Sequence, residues 1–411
     1  MLRSLSLSII FSIAITCHAL AAEPANILLI AGAPSHGYGS HEHYAGLKIL
    51  EESLRSSKEK VDIKTVRGWP ADDALIESAD SIVIYCDGGG RHLAAPHLER
   101  LASKLAEGCG LVCIHYAVEM TPGKTGDAWV KWLGGHFEVN WSVNPHWTAD
   151  FTTLPDHPIT RGVKPFKAND EWYFHMRFNP SPKVTPILSA VAPPETMRRK
   201  DGPHSGNPDV RKSVAKGEPQ TVAWSFERPD GGRSFGFTGG HFHWNWGNKD
   251  IRKLVTNAIL WTSQSAIPSQ GSTVVSPVGI DSLLKNQDYD PPKNFNPQKI
   301  ESDFQLKSPR VQIIPKASKA TSSTTTQNNR NAKAKKLFES PLVTTKNGGV
   351  VSIDTPINGV EDLYLLIGDG GNGFTCDWAN WVNPTLHGGE KTLSLVDVKW
   401  TSASSGFGKV H

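Results

Sequence analysis

The stretch NILLIAGAPSHGYGSHEHYAGLKILEESLRSS, residues 26–57, decides the fold of this protein. Its first six residues are an apolar run, which predicts a strand buried on both faces of a sheet. A loop rich in glycine and histidine follows, and the remainder has helical periodicity. A buried strand that leads through a loop into a helix is the repeating unit of parallel sheets, so we predict an α/β fold.

The same alternation of strands and helices continues along the chain. The alternating segment VDIKTV (61–66) and the apolar runs SIVIYC (81–86) and GLVCIH (110–115) predict further strands, and APHLERLASKLAEG (95–108) predicts an amphipathic helix. Farther on, TVAWSFE and RSFGFTG resemble the two strands of a hairpin, and DIRKLVTNAILWTS predicts a closing helix. We therefore predict an open, mostly parallel sheet with helices on both faces.

Composition divides the 411 residues into four segments. Residues 1–21 combine a basic residue, an apolar run and an Ala-x-Ala motif, which predicts a secretory signal peptide rather than a membrane anchor. Residues 22–264 form the α/β domain. Residues 265–335 are rich in Pro, Ser, Thr, Asn and Lys, which is typical of a flexible linker. Strand-like alternation in residues 336–411 predicts a β-sandwich, which we expect to be incomplete in this sequence.

Charge and cysteine content narrow the class of protein. The formal net charge is +3, and eight Lys or Arg lie between Asp303 and Glu339 without an acidic residue. No basic folded face is apparent, so we expect no nucleic-acid partner. Four scattered cysteines remain after signal cleavage, which predicts buried thiols, with room for one disulfide, rather than a zinc-binding framework. We expect export to the periplasm or the extracellular space, with no stable membrane anchor after cleavage.

Polar residues follow four of the predicted strands. Ligands bind beyond the carboxyl ends of the strands in an open parallel sheet, so residues at these ends should meet. Thirteen of the sixteen histidines lie in residues 22–264, which favours a shared site over chance. The candidates are His36, Tyr38 and His41 after the first strand, Asp87 after the third, His115, Tyr116 and Glu119 after the fourth, and His241, His243 and Trp244 after RSFGFTG.

His115 is the strongest catalytic candidate because it ends an apolar strand at the predicted ligand-binding edge. As a general base it would work near neutral pH, with Glu119 or Glu171 as its acid partner. The alternatives are a core histidine with satisfied hydrogen bonds, and strand packing for the DEWYFHMRF run that contains Glu171. No Gly-x-Ser-x-Gly or Gly-x-Cys-x-Gly motif surrounds Cys113, so acyl transfer is disfavoured.

The loop GFTGGHFHWNWGN (236–248) has two interpretations. In an extended segment His241 and His243 would face the same side and could hold a divalent metal ion. Trp244 could stack on a sugar ring or pack in an aromatic corner. The loop after the first strand also has two interpretations. Its histidines could belong to a site, or the loop could be a turn in which Ser40 acts as the N-cap of the following helix. A divalent metal therefore stays a candidate cofactor, and no nucleotide cofactor is expected.

Residues 25–264 resemble the ThuA-like (trehalose-utilisation) family, which has the class I glutamine-amidotransferase-like fold. The likeness rests on ILLIAGAPSHGYGSHEHY, GLVCIHYAVE, LGGHFEVNWSVNPHW, DHPITRGVKPFKANDEWYFHMRF and GGRSFGFTGGHFHWNWGNKDIRKLVTNAILW. Amidotransferases of this fold have a catalytic cysteine at a strand-end elbow, where the ThuA-like pattern has a histidine that matches His115. The resemblance thus implies no glutamine hydrolysis, and a role with disaccharides and their oxidised keto forms.

The segment GVEDLYLLIGDGGNGFTCDWANWVNPTL (359–386) resembles the NPCBM carbohydrate-binding module. Asp369, Asp377 and Trp378 are its recognisable positions, and they either bind sugar or hold turns. Three hypotheses follow for the whole protein. It hydrolyses or isomerises a keto-disaccharide or glycoside with His115 as general base, it binds carbohydrate without catalysis, or it is a hydrolase that depends on a divalent metal.

Overall fold

The computed structural model describes residues 23–275, 278–306, 354–356, 385–388 and 391–394, and the structural statements below concern these residues. The chain divides into two compact units, Met1–Pro315 and Lys316–His411, which are described separately. The predicted signal peptide lies outside the described residues. None of the described helices is long and apolar enough to cross a membrane.

The first unit is built around one large sheet. Its strands are β1 (Ala25–Ala31), β2 (Val61–Arg67), β3 (Ser81–Tyr85), β4 (Gly110–Ile114), β5 (Gly135–His136), β6 (Trp147–Phe151), β7 (Phe166–Asp170), β8 (Arg177–Phe178), β9 (Val184–Val191), β10 (Pro219–Glu227) and β11 (Arg233–Phe237). Its helices are α1 (His43–Ser56), α2 (Ala74–Glu77), α3 (Leu98–Ala106), α4 (Lys124–Trp132), α5 (Pro208–Ala215), α6 (Lys249–Thr262), α7 (Ile280–Leu283) and α8 (Pro297–Asp303).

The large sheet has the strand order β2-β1-β3-β4-β11-β10-β9. The five strands from β2 to β11 are parallel, whereas β10 pairs antiparallel with both β11 and β9. The predicted mostly parallel sheet and the predicted hairpin are therefore confirmed. Strands β1, β3, β4 and β11 are consecutive neighbours, so the loops after their carboxyl ends emerge side by side.

Alternate residues of the central strands enter two separate cores. In β1, Ile27 and Leu29 belong to a core that includes α1 and α6, while Leu28 and Ile30 belong to one that includes α3 and α4. This period of two is what a strand buried on both faces requires. Helices on both faces are thereby confirmed, and the apolar core fixes the strand ends that carry the polar loops.

The described part of residues 265–335 differs from the flexible linker that composition predicts. It contains α7 and α8, and Val278 and Leu283 are buried in the same core as α6. Phe295 stacks on Trp244 with ring centroids 5.8 Å apart. The apolar residues here are too widely spaced to produce a periodic signal, although together they cover the domain. We call residues 278–306 the strap.

The second unit is described at one hairpin, in which β12 (Thr385–Gly388) pairs antiparallel with β13 (Lys391–Ser394). The predicted strand that begins at Thr392 overlaps β13. Asp369, Asp377 and Trp378, together with the other predicted strands of this module, lie outside the described residues.

Candidate functional site

His115 lies at the sharp turn between β4 and the 3₁₀ turn His115–Val118. Its backbone has a φ of +56°, a left-handed conformation that costs a residue with a side chain about 1–3 kcal/mol. The side chain is fully buried, and its Nδ1 donates to the carbonyl oxygen of Thr238, just beyond β11, at 2.8 Å. Because a carbonyl only accepts, the proton stays on Nδ1 and Nε2 of the neutral ring presents a lone pair.

His41 lies in the loop after β1, also with a left-handed backbone, and its Nδ1 donates to Oδ1 of Asp87 at 2.9 Å. Asp87 follows β3 and accepts a hydrogen bond from the Ser35 hydroxyl at 2.7 Å, while Arg91 lies 3.0 Å from its other oxygen. Although burial raises the pKa of Asp87, the bonds from His41 and Ser35 hold it well below its usual range. The carboxylate therefore fixes the tautomer of His41, whose Nε2 presents a lone pair.

His241 lies in the loop after β11, which a buried carboxylate holds in place. Asp170, the last residue of β7, accepts hydrogen bonds from the backbone N–H of Gly240 at 2.7 Å and of Phe242 at 3.1 Å. The backbone N–H of His41 donates to the carbonyl oxygen of His241 at 3.1 Å, so the loops after β1 and β11 are joined. His41 and His241 are therefore positioned by hydrogen bonds of the backbone as well as by those of their side chains.

Glu171 directly follows β7. Its Oε2 lies 3.1 Å from Nδ1 of His241 and 3.6 Å from Nε2 of His115. Its Oε1 accepts a hydrogen bond from the side-chain amide of Asn144 at 3.1 Å and lies 3.6 Å from Nε2 of His146. Although burial raises the pKa of Glu171, its contacts with His146 and His241 hold that pKa well below the usual range, so Glu171 is a carboxylate.

Four donor atoms converge between these loops, all within 4.8 Å of one another, and we call them the His3Glu cluster: Nε2 of His41, Nε2 of His115, Nδ1 of His241 and Oε2 of Glu171. His41 lies 3.0 Å from both His115 and His241, and Glu171 lies 3.1 Å from His241 and 3.6 Å from His115. A tetrahedral zinc ion with bonds of about 2.0–2.1 Å separates its ligands by about 3.3 Å. The four separations bracket that value.

The tautomers strengthen the argument for a cation. His41 and His115 both donate through Nδ1, so their Nε2 atoms face each other with lone pairs at 3.0 Å. Such a contact is repulsive unless a proton or a metal ion lies between the atoms. Burial lowers the pKa of His41 and holds that of His115 well below its usual value, which disfavours the proton. Imidazoles held through their other nitrogen by a carboxylate or carbonyl are typical metal ligands.

Of the remaining candidates after β1 and β4, His36 and Tyr116 lie beside the His3Glu cluster. The exposed ring of His36 lies against that of His41, with centroids 3.7 Å apart. The centroid of the half-buried Tyr116 ring lies 6.1 Å from that of His41. Tyr38 instead packs in the aromatic corner made with Trp244 and Phe295. Burial, together with the charge of Glu42, raises the pKa of Tyr38 to about 12, so it stays protonated.

The prediction that His243 shares a face with His241 is wrong, because the segment is not extended. His243 begins the 3₁₀ turn His243–Gly247, is fully buried, and donates through Nε2 to the carbonyl oxygen of Leu283 in α7. Trp244 is only 5% exposed and contacts Tyr38, so it is part of a packing corner rather than an exposed sugar platform. Of the two proposed metal ligands in this loop, only His241 belongs to the cluster.

Glu119 does not contact the cluster atoms but forms a pair of its own. It is 3% exposed, and its two carboxylate oxygens lie 3.2 and 3.1 Å from Nε2 of His204. Burial raises the pKa of Glu119, and the hydrogen bond to Glu119 raises the pKa of His204. His204 lies in an irregular loop where no periodic pattern marks it, so the sequence analysis missed it.

The site contains three further residues that the sequence did not single out: Tyr173, His146 and Asn144. The buried hydroxyl of Tyr173 lies 3.2 Å from Nε2 of His115 and donates to Oε2 of Glu171 at 3.4 Å. Burial raises the pKa of Tyr173 well above its usual value, so it remains a donor. Tyr173 lies within DEWYFHMRF, whose density of polar and aromatic residues was the available signal. His146 and Asn144 lie in a loop without regular spacing.

The comparisons with known proteins identify the family of this chain. The trehalose-utilisation family model matches residues 27–262, more than half of the chain, so the chain belongs to the trehalose-utilisation family. The NPCBM/NEW2 domain model matches residues 319–387, which adds a carbohydrate-binding type of domain. The predicted family and module are thereby confirmed, and they are consistent with a carbohydrate-related role. No curated protein matches the chain.

Three solved structures, among others, are similar to part of this chain at low sequence identity. A ThuA-like protein from Bacteroides uniformis is 17% identical, with a TM-score of 0.41, 59% of this chain covered and 93% of the other. One from Parabacteroides merdae is 13% identical, with a TM-score of 0.40 and coverages of 62% and 98%. A glutamine amidotransferase from Methylobacillus flagellatus is 12% identical, with a TM-score of 0.28 and coverages of 67% and 100%.

Proposed function

We propose that this protein is an exported, carbohydrate-directed enzyme whose active site binds a divalent metal ion through His41, His115, His241 and Glu171. The observation that carries the proposal is the convergence of three imidazole nitrogens and one carboxylate oxygen, all within 4.8 Å of one another and with four of the six separations at 3.0–3.6 Å. The reaction is the hydrolysis or isomerisation of a keto-disaccharide or a related glycoside. The trehalose-utilisation family and the NPCBM domain support the choice of substrate class.

The proposal gives His115 a different role from the general base that its strand-end position first indicates. The lone pair of Nε2 cannot bind a metal ion and accept a proton from a substrate at the same time. Metal binding is favoured because the ring is fully buried and its Nε2 faces the other three donor atoms. The strained backbone of His115 also fits a residue whose orientation matters more than its local stability.

A bound divalent ion would polarise a carbonyl or hydroxyl oxygen of the sugar and lower the pKa of a coordinated water. The chain's own residues then have separate tasks. Asp87 holds the tautomer of His41, and the carbonyl of Thr238 holds that of His115. Tyr173 donates to Glu171 and lies against His115, so it orients both groups at the cluster.

Metal analysis combined with a substrate screen tests the proposal. Wild-type protein should retain close to one zinc, manganese or cobalt ion per chain, and His41→Ala and Glu171→Gln should lose it. His97→Gln is the matched control, since His97 stacks on Trp69 away from the cluster. A panel of oxidised and unoxidised disaccharides is then followed by product mass, and chelation should abolish turnover.

Two outcomes would contradict the proposal in different ways. Full turnover with no bound metal and no effect of chelator would remove the metal and restore His115 to the role of general base. Sugar binding without any product would favour a non-catalytic carbohydrate-binding protein. The burial of Trp244 counts against that second function, because this ring has too little exposed surface to stack on a sugar.

A further inference from the structure

Beside the His3Glu cluster, Glu119 and His204 form a carboxylate–imidazole pair with unequal exposure. The side chain of Glu119 is 3% exposed, whereas that of His204 is 34% exposed. Nε2 of His204 faces the carboxylate at 3.1 Å, and Nδ1 has no hydrogen-bond partner among residues 23–275 and 278–306. A buried carboxylate on one nitrogen and an open second nitrogen is the arrangement of a histidine that transfers protons.

The pair is close to the proposed metal site because one residue contacts both. The backbone N–H of Asn144 donates to the carbonyl oxygen of His204 at 3.1 Å. The side-chain amide of the same residue donates to Oε1 of Glu171 at 3.1 Å. Arg199 donates to the Asn144 side chain and to the His204 carbonyl, which fixes the bridge. The main chain of His204 is therefore one residue away from a cluster carboxylate. Its imidazole is linked to the cluster through Phe137, whose ring packs against both His204 and Tyr173.

The loop that carries His204 does not need this side chain to stay in place. The backbone N–H of Asn140 donates to the Pro203 carbonyl at 2.8 Å, and Gly202 and Gly206 form a backbone bridge. Arg211 also donates to the Arg199 carbonyl at 2.6 Å. A purely structural tie through Glu119 would add little, yet it would carry the cost of burying a carboxylate. The stacking of His204 on Phe137, with ring centroids 5.2 Å apart, instead fixes the orientation of its imidazole.

We propose that His204 is the proton-transfer residue of the carbohydrate reaction and that Glu119 is its positioning residue. This inference rests on the proposed function. In the hydrolytic reaction, the bond between the sugar carbon and the leaving oxygen breaks and its electron pair remains on that oxygen. Nδ1–H of His204 supplies the proton to that oxygen. The oxygen of a water molecule forms the new bond to carbon, and a proton of that water returns to the imidazole.

The charges around His204 set the expected pH dependence. Its hydrogen bond to Glu119 raises its pKa despite partial burial, Glu171 raises it further, and Arg199 lowers it. The acid form is present below the raised pKa and is lost as the pH rises through it. Activity should therefore have an alkaline limb set by His204. Replacing Glu119 by a neutral group should move that limb to lower pH, since the carboxylate then no longer stabilises the imidazolium.

The test compares His204→Gln, Glu119→Gln and the control His97→Gln in the metal-loaded full chain, on a sugar that the wild type converts. His204→Gln should lower kcat by about 10²- to 10⁴-fold with little change in KM, metal content or melting temperature. Glu119→Gln should lower kcat less and shift the alkaline limb to lower pH. This shift is a readout that loss of a merely structural contact would not produce.

Each adverse outcome has a distinct meaning. Normal kcat in His204→Gln, with normal turnover by the wild type, overturns the role of His204 and leaves the metal-dependent function standing. An unshifted alkaline limb in Glu119→Gln overturns the pairing. Absence of turnover by the metal-loaded wild type on every sugar overturns the proposed function, and the inference with it. Loss of metal in His204→Gln would make His204 part of the metal site instead.

Discussion

Nε2 of His41 lies 3.0 Å from Nε2 of His115, although 74 residues separate the two histidines in the sequence. Each ring donates through its other nitrogen, one to the carboxylate of Asp87 and the other to the carbonyl of Thr238. The protein thus holds two lone pairs against each other, with the tautomers fixed from outside. Such an arrangement costs free energy without a cation, and the hydrogen bonds of the surrounding loops must offset that cost.

Asp87→Asn should weaken metal binding by about 10- to 100-fold, because an amide orients the His41 ring less strongly than a carboxylate. The fold should survive, since the substitution preserves the size of the side chain. Titration of the apo protein with zinc against a coloured chelator measures the change. Asp150→Asn is the matched control, because Asp150 is exposed and pairs with Lys167 away from the site. Equal affinities in the two variants would show that Asp87 does not act through His41.

Gly88→Ala should reduce both stability and activity, whereas Gly90→Ala should leave both unchanged. A Cβ at Gly88 would lie 2.2 Å from the Tyr116 carbonyl oxygen and 2.8 Å from that of Glu119. The turn that follows His115 would have to move, at a cost of about 1–3 kcal/mol. A Cβ at Gly90 meets nothing within 4 Å, which makes the pair a control for the loss of glycine itself. Thermal melting and turnover measure the two effects, and similar melting temperatures for both variants would refute the steric argument.

Lowering the pH from 7 towards 5 should destabilise the domain through histidines that fold in the neutral form. Burial lowers the pKa of His92 to about 4 and that of His243 to about 4. In the unfolded chain both take up a proton near pH 6.5, whereas in the folded protein they remain neutral until about pH 4. Stability is therefore lost as the pH falls through this window, by roughly 1 kcal/mol per histidine at pH 5.5.

Thermal melting of wild-type protein and His243→Gln across this range checks the prediction. His243 is not one of the four cluster residues, and the comparison is made on metal-free protein so that pH-dependent metal loss does not contribute. The variant should have a shallower decline in melting temperature with falling pH. Identical slopes for the two proteins would show that His243 does not titrate in the way its burial indicates.

The sheet could be predicted from the sequence because three apolar runs alternate with helical segments, and the ligand-binding edge followed from the sheet. His41, His115 and His241 were accessible to this reasoning because each follows a parallel strand. His243 was misassigned because alternate spacing implies a shared face only in extended backbone, and this segment is a 3₁₀ turn. His204 could not be found, since its partner Glu119 is 85 residues away and its loop has no periodicity.

The strap, residues 278–306, shows a second limit of predicting structure from the sequence. Composition describes how easily a segment forms regular structure by itself, and proline and asparagine made residues 278–306 look unstructured. This segment is ordered by its contacts with the rest of the folded domain. Leu283 is buried, and the backbone N–H of Asp288 donates to the carboxylate of Glu42 at 2.8 Å. Such contacts arise from tertiary structure and leave no local pattern in the sequence.

The backbone hydrogen bonds that join the loops after β1 and β11 have a consequence for the shape of the His3Glu cluster. Strands β3 and β4 lie between these two strands in the sheet, so the joined loops pass across the ends of both. The N–H of His41 donates to the carbonyl of His241, and the N–H of His243 donates to the carbonyl of Gly39. Main-chain atoms alone therefore hold His41 and His241 at a fixed separation. A variant that lacks one of these imidazoles should keep the other in place, so that an added small imidazole ligand could fill the gap.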